Sequence, residues 1–198
     1  MARPKRDPDK KPAFERIEDA FWDILSEKPF DKITISELSK RAGVNHNLLY
    51  YYFDGIEDMA RQLFERNMSD GVPQRILGIL LGNADIEAEL LADDMILKRV
   101  MRTRLFMRRD SAFLNEIVRI RIQKEWLVAA GVIEEQLTQE NKVDLDFIFS
   151  GVVAIMGSEQ FEENQQAIAS LNKRVLGKGI IDTFKNLSRN SILYVHCR

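Results

Sequence analysis

The chain has a single cysteine, Cys197, and so cannot close an internal disulfide; a reducing cytoplasm is the expected home. Its two histidines, His46 and His196, stand far apart and share no metal-ligand spacing with that cysteine. Neither a metal nor a cofactor is expected. No apolar run approaches the roughly 18 residues of a membrane span, and the longest, over residues 147–156, is interrupted by Ser150 and Gly151. The first residues, Met1-Ala2-Arg3-Pro4-Lys5-Arg6, are charged with no apolar segment behind them, so no secretory leader is expected. Charge of one sign is also lacking: 29 Lys and Arg against 31 Asp and Glu leave a net −2, so a polyanion can be held only by a local patch. There is no Gly-x-Ser-x-Gly, no His-Glu-x-x-His, no Cys-x-x-Cys and no phosphate-cradling glycine loop, and an enzyme is not expected.

Proline is scarce in a telling way. All five lie at or before Pro73, and residues 74–198 have none while being rich in Leu, Ile, Glu, Gln, Lys and Arg. Such a stretch reads as helical, and no sustained period-two alternation competes with it. An all-α fold follows. With 198 residues, 45% of them hydrophobic, the chain is long enough to bury a substantial core.

Residues 1–12 form a basic, proline-punctuated arm, readable as a solubilising tail or as a segment that reaches DNA. From Ala13, the apolar residues Phe14, Ile17, Phe21, Ile24 and Leu25 recur at three- and four-residue steps and mark a first helix that stops before Pro29. Thr34 and Glu37 have capping-box spacing for a second helix, whose buried stripe is Ile35, Leu38 and Ala42 and whose end is Gly43. Asn45 caps a short third helix, with Val44 and Leu49 spaced as a hydrophobic staple. Two short helices joined by a glycine turn make a helix-turn-helix.

The third helix reads Asn45-His46-Asn47-Leu48-Leu49-Tyr50-Tyr51-Tyr52-Phe53. Leu49 and Phe53 face the core; His46, Asn47, Tyr50 and Tyr51 point away, with Leu48 and Tyr52 at the boundary. Outward tyrosines suit a surface that meets phosphates, because phenol hydroxyls donate to phosphate oxygens while the rings pack on sugars. His46 and Asn47 occupy the first turn, where recognition helices touch base edges.

Residues 17–63 resemble the DNA-binding domain of the TetR (tetracycline-repressor-like) family of bacterial transcription regulators. The resemblance rests on Ile33-Thr34-Ile35-Ser36-Glu37-Leu38, then Arg41-Ala42-Gly43-Val44, then Leu49-Tyr50-Tyr51-Tyr52-Phe53, then Glu57. It implies DNA contacts at Thr34 and Ser36, at His46, Asn47 and Leu48, and at Tyr50, Tyr51 and Tyr52. Two positions depart from the family pattern. Asp54-Gly55-Ile56 stands where a phosphate-binding lysine is common, and Leu48 stands where small or polar residues are common, so it is expected to read a thymine methyl.

A fourth helix is expected from an Asp54 cap, with Ile56, Met59, Ala60, Leu63 and Met68 inward, and the break at Gly71-Val72-Pro73 divides a DNA-binding domain over 13–70 from a helical domain over 73–198. Short apolar pieces are expected at 76–81 and 86–91, then helices over 93–108 and 111–130, the second closed by Gly131. Lys98, Arg99, Arg102, Arg104, Arg108 and Arg109 read either as a solvated face or as an anchor for an anion. Met95, Met101, Phe106, Phe113, Trp126 and Phe149 read either as core or, with Arg102, as the lining of an effector pocket. Residues 141–161 carry apolar side chains around nearly the whole circumference and predict a helix buried on all sides; a final helix is expected over 164–187, with Gly177 and Gly179 marking a kink or a close approach. The resemblance implies that these last two helices pair with their copies across a two-fold axis. The side chains expected there are Phe147, Val152, Ile155, Leu171, Val175, Ile180 and Phe184. A homodimeric, ligand-responsive repressor of a palindromic double-stranded operator is the leading expectation, with an amphipathic anion as effector. The alternative is a coactivator or sensor whose C-terminal domain docks a protein partner.

Overall fold

The computed structural model describes residues 11–68 and 93–195; the expectations for the first ten residues, the break at 71–73, the pieces at 76–81 and 86–91, His196 and Cys197 lie outside them. Among the described residues the secondary structure is helical, with no strand. The fold is all-α, an N-terminal helix-turn-helix domain followed by a C-terminal helical region. The chain divides into two compact units between Glu65 and Arg66.

In the first unit α1 (Ala13–Glu27) buries Ile17, Ala20, Phe21, Trp22, Ile24 and Leu25, and ends at Lys28, whose extended backbone leads into Pro29. Each fully buried Ile, Leu or Phe contributes about 1.5–3 kcal/mol. A short 3-10 turn, Phe30–Lys32, leads to α2 (Ile35–Ala42). The Thr34 hydroxyl oxygen accepts from the Glu37 amide at 3.2 Å, but the expected box is only half formed. The Glu37 carboxylate turns instead to Lys28, an ion pair that ties α2 to the end of α1. α2 ends at Gly43, whose φ of 60° is left-handed, and α3 (His46–Tyr52) follows from an Asn45 cap that accepts from Asn47 N at 2.6 Å. α4 (Ile56–Asn67) buries Met59, Ala60, Leu63 and Phe64; its last residues belong to the second unit.

In the second unit α5 (Asp94–Met107) is capped by Asp93, and α6 (Ala112–Ala129) by Ser111. The Asn67 amide donates to Arg99 O at 2.9 Å and to Thr103 Oγ1 at 3.0 Å, a buried polar link at the start of this unit. Asn115 Nδ2 donates to Phe106 O and Arg108 O, both at 2.8 Å, satisfying carbonyls that the end of α5 leaves open. α6 closes at Gly131, with φ of 66°. A true capping box of Thr138 and Asn141 starts α7 (Gln139–Met156).

Two expectations are corrected here. α7 is not enclosed on all sides: Leu145, Ile148, Phe149, Val152 and Val153 are buried, but Val143, Phe147 and Ile155 are exposed. Within this chain α7 meets α5, α6 and one later helix, and these neighbours leave one apolar side open. Nor is the last helix continuous. α8 (Phe161–Ala169) ends at Ser170, a 3-10 turn at Leu171–Lys173 intervenes, and α9 (Val175–Val195) follows. The two glycines divide the expected roles. A Cβ on Gly177 would lie 2.1 Å from the Leu171 carbonyl oxygen, so the turn packs back on α9 there, whereas one on Gly179 would meet nothing within 4 Å.

Candidate nucleic-acid interface

The frame of the site is set by α1. Arg16 Nη1 donates to Ala42 O at 2.6 Å and to Gly43 O at 2.9 Å, so one guanidinium caps the end of α2 and fixes the turn into α3. Arg41 forms a two-pronged pair with Glu27, both contacts 2.8 Å, and clamps the same end of α2 to the end of α1. Hydrogen bonds from Arg41, reinforced by its charge, hold the Glu27 carboxyl below the ordinary carboxylate range.

On this frame α3 buries Leu49 alone, and Phe53 is buried just beyond it. His46, Asn47, Tyr50 and Tyr51 are exposed, Tyr51 by 78%, while Leu48 and Tyr52 are half-buried. The Tyr52 ring packs edge-on against Phe14 of α1 with centroids 5.4 Å apart, and Tyr51 packs edge-on against Tyr52 at 5.1 Å. Phe14 therefore steadies Tyr52, and Tyr52 steadies the outermost tyrosine. Edge-to-face pairs of this kind contribute about 0.5–1.5 kcal/mol each beyond their buried area.

Thr34 and Ser36 at the start of α2 are exposed. The Thr34 oxygen serves the cap, and its hydroxyl proton stays free to donate outward. The eight expected contact residues thus lie on α3 and on the first turn of α2, six of them exposed and two half-buried. Lys40 stands four residues after Ser36 on the same face of α2, and Lys32 lies just before Thr34; both are exposed. Neither was singled out in the sequence. The signal that finds them is the pairing of their neighbours, since Lys11, Lys28 and Arg41 already have carboxylate partners. The surface offers imidazole, carboxamide, phenol, hydroxyl and ammonium groups, and α3 itself carries no carboxylate. Such groups read base edges and hold phosphates.

The residues expected to line an effector pocket differ in exposure. Met95 and Met101 are exposed, and Arg102 and Phe113 are half-buried. Phe106, Trp126 and Phe149 are fully buried. Trp126 and Phe149 pack with centroids 5.3 Å apart, and Phe184 closes on both at 6.1 and 6.4 Å. The three rings form one buried cluster. Of the residues expected at a dimer interface, Phe147 and Val175 are exposed by 75% and 89%, Ile155 is exposed, and Leu171 and Ile180 are half-buried. Val152 and Phe184 are buried inside their own subunit.

Residues 17–63 match the sequence profile of the bacterial regulatory proteins of the tetR family. The chain is also similar to the fatty acid metabolism regulator protein of Bacillus subtilis (strain 168), 32% identical over 59 residues. That match spans 30% of this chain and 30% of the relative's length.

Proposed function

We propose that the chain, whose residues 17–63 match the tetR family of bacterial regulatory proteins, is a DNA-binding transcription regulator of that kind, a homodimeric repressor whose α3 enters the major groove of each half of a palindromic operator. The observation that carries this reading is the division of α3: one buried leucine holds the helix, and His46, Asn47, Tyr50 and Tyr51 face outward together. His46 and Asn47 read base edges. Thr34, Ser36, Tyr50 and Tyr51 hold phosphates with Lys32 and Lys40, and Tyr52 positions Tyr51 while Leu48 meets a thymine methyl. Half-sites on one face of B-form DNA call for recognition helices about 34–36 Å apart.

The exposed apolar side chains Phe147 and Val175 give the C-terminal region a surface for the second copy. A small-molecule effector bound in that region changes operator affinity through a coupling of about 1–3 kcal/mol. No helix among the described residues is long and apolar enough to cross a membrane, and a role on chromosomal DNA belongs to the cytoplasm.

The test is binding to the preferred operator against a scrambled duplex. His46→Ala and Asn47→Ala are expected to cost about 1–3 kcal/mol on the operator and to relax discrimination. Tyr51→Ala is expected to weaken both duplexes alike, with unchanged melting temperature. Full operator affinity in the His46→Ala, Asn47→Ala double variant would remove α3 from the reading role.

A further inference from the structure

α7 ends at Met156 and α8 begins at Phe161, and the reversal between them lies against the end of α5. Gly157 makes that approach possible, because a Cβ there would stand 1.7 Å from the Met107 carbonyl oxygen. Two cavities open at this corner, and both include Arg109 and Ser158 in their walls. One, of about 420 Å³, mixes Arg108 and Arg109 with Asp110 and Glu159. Arg108 is already paired with Asp110 at 3.0 Å, and an anion entering there meets two carboxylates.

The other cavity, about 280 Å³, differs in kind. Its walls are apolar at Ala154, Ile155, Phe161 and Ile168, and its only charged lining groups are Arg109 and Arg174. No carboxylate lines it. Arg109 makes no hydrogen bond or ion pair among the described residues. Arg174 donates one Nη2 hydrogen to Ala167 O at 2.5 Å, and a guanidinium has five N–H groups to give. Nearby Arg104 is committed elsewhere: Nε to Met156 O at 3.1 Å, Nη1 to Glu162 at 2.7 Å, and its guanidinium over the Phe161 ring at 3.7 Å. Arg104 therefore holds the Phe161 wall in place and leaves the cationic rim to Arg109 and Arg174.

We infer that this groove binds an amphiphilic carboxylate, its headgroup between Arg109 and Arg174 and its aliphatic body along Ala154, Ile155, Phe161 and Ile168. As the effector's seat it rests on the ligand-responsive reading above. A bare inorganic anion would leave the apolar walls wet, and a neutral hydrocarbon would leave two guanidiniums without a counter-charge. A carboxylate is planar and matches the guanidinium fork. The volume lies just below the usual range of ligand pockets, which starts at about 300 Å³, so a medium-length chain fits and a bulky polycycle does not.

Titration calorimetry on the full-length protein provides the test, with decanoate below its micelle concentration as the probe. Acetate serves as the tail-less control and decyltrimethylammonium as the charge-reversed one. Decanoate is expected to bind and the two controls are not. Arg109→Gln, whose side chain has no partner to lose among the described residues, and Arg174→Gln are each expected to weaken decanoate roughly tenfold, the effect of losing one charge-assisted hydrogen bond. Ala167→Phe, an exposed position in the wall, is expected to block the groove without changing the melting temperature of the free protein. No decanoate binding, equal binding of the cation, or undiminished affinity in all three variants would overturn the site. Operator affinity is followed in parallel. Binding that depends on both arginines but leaves operator affinity unchanged keeps the site and sinks the effector reading. Operator release by decanoate that survives both arginine substitutions does the reverse.

Discussion

The two units expose different chemistry. Among the described residues of the first, the large exposed rings are Tyr50 and Tyr51, each ending in a hydroxyl. The second leaves bare hydrocarbon at the surface: Ile120 and Val128 on α6, Val143 and Phe147 on α7, Val175 and Leu176 on α9. Single exposed apolar residues are ordinary. Val143 and Phe147 are four apart, however, and so share one helical face, as do no exposed large apolar residues among the described residues of the first unit. The first unit is finished as a surface for a solvated, charged partner. The second presents the apolar side chains that the proposed second copy would cover.

The sharpest way to break this contrast is at its most buried point. If Trp126 is packing and not pocket wall, Trp126→Ala costs about 3–5 kcal/mol in denaturant unfolding, the range for removing a large buried aromatic. A variant of near wild-type stability would show that the indole faces an open space. The next effect separates the two sides of α7. Val152→Asp buries an unpaired carboxylate and is expected to unfold the subunit, at a cost of several kcal/mol. Phe147→Asp, on the exposed side, is expected to leave the subunit folded and to shift the sedimentation equilibrium towards monomer, since each copy forfeits about 1.5–3 kcal/mol of ring burial. An undiminished dimer would place the covered surface elsewhere.

The smallest expected effect tests the first unit's frame. Glu27 is held below its ordinary range by Arg41, so its pair is at full strength above the unfolded-state value and fades as pH falls through the lower, folded one. Glu27→Gln is therefore expected to melt slightly below wild type at neutral pH and to converge with it in acid. Both partners are solvent-exposed, which keeps the difference small. A gap that persists at low pH would mean the side chain acts through something other than its charge.

What was legible in advance follows the range of the forces. The caps at Thr34 and Asn45 and the left-handed Gly43 depend on residues within a few positions, and the sequence displays them directly. The outward set on α3 was legible for the same reason, because one turn of helix decides it. The Arg16 fork spans 26 and 27 residues, and nothing in local spacing announces it. Glu37 went to Lys28, nine positions away, although a reciprocal box lay within reach. The break between α8 and α9 has no proline to signal it; it depends on Leu171 packing against Gly177. The aromatics of the second unit were ambiguous because helical spacing reports which side chains turn inward, and only their mutual distances show whether they meet.

α3 commits one of its seven residues to the interior. Most of the helix is thus held by its ends, through the Asn45 cap, the Arg16 fork and the buried Phe53. The outward letters can be rewritten with little debt to the scaffold. A library randomised at His46, Asn47 and Leu48 on this frame should yield many folded proteins with different addresses on DNA, so that new specificity is reached through neutral steps and not across a valley of unfolded intermediates.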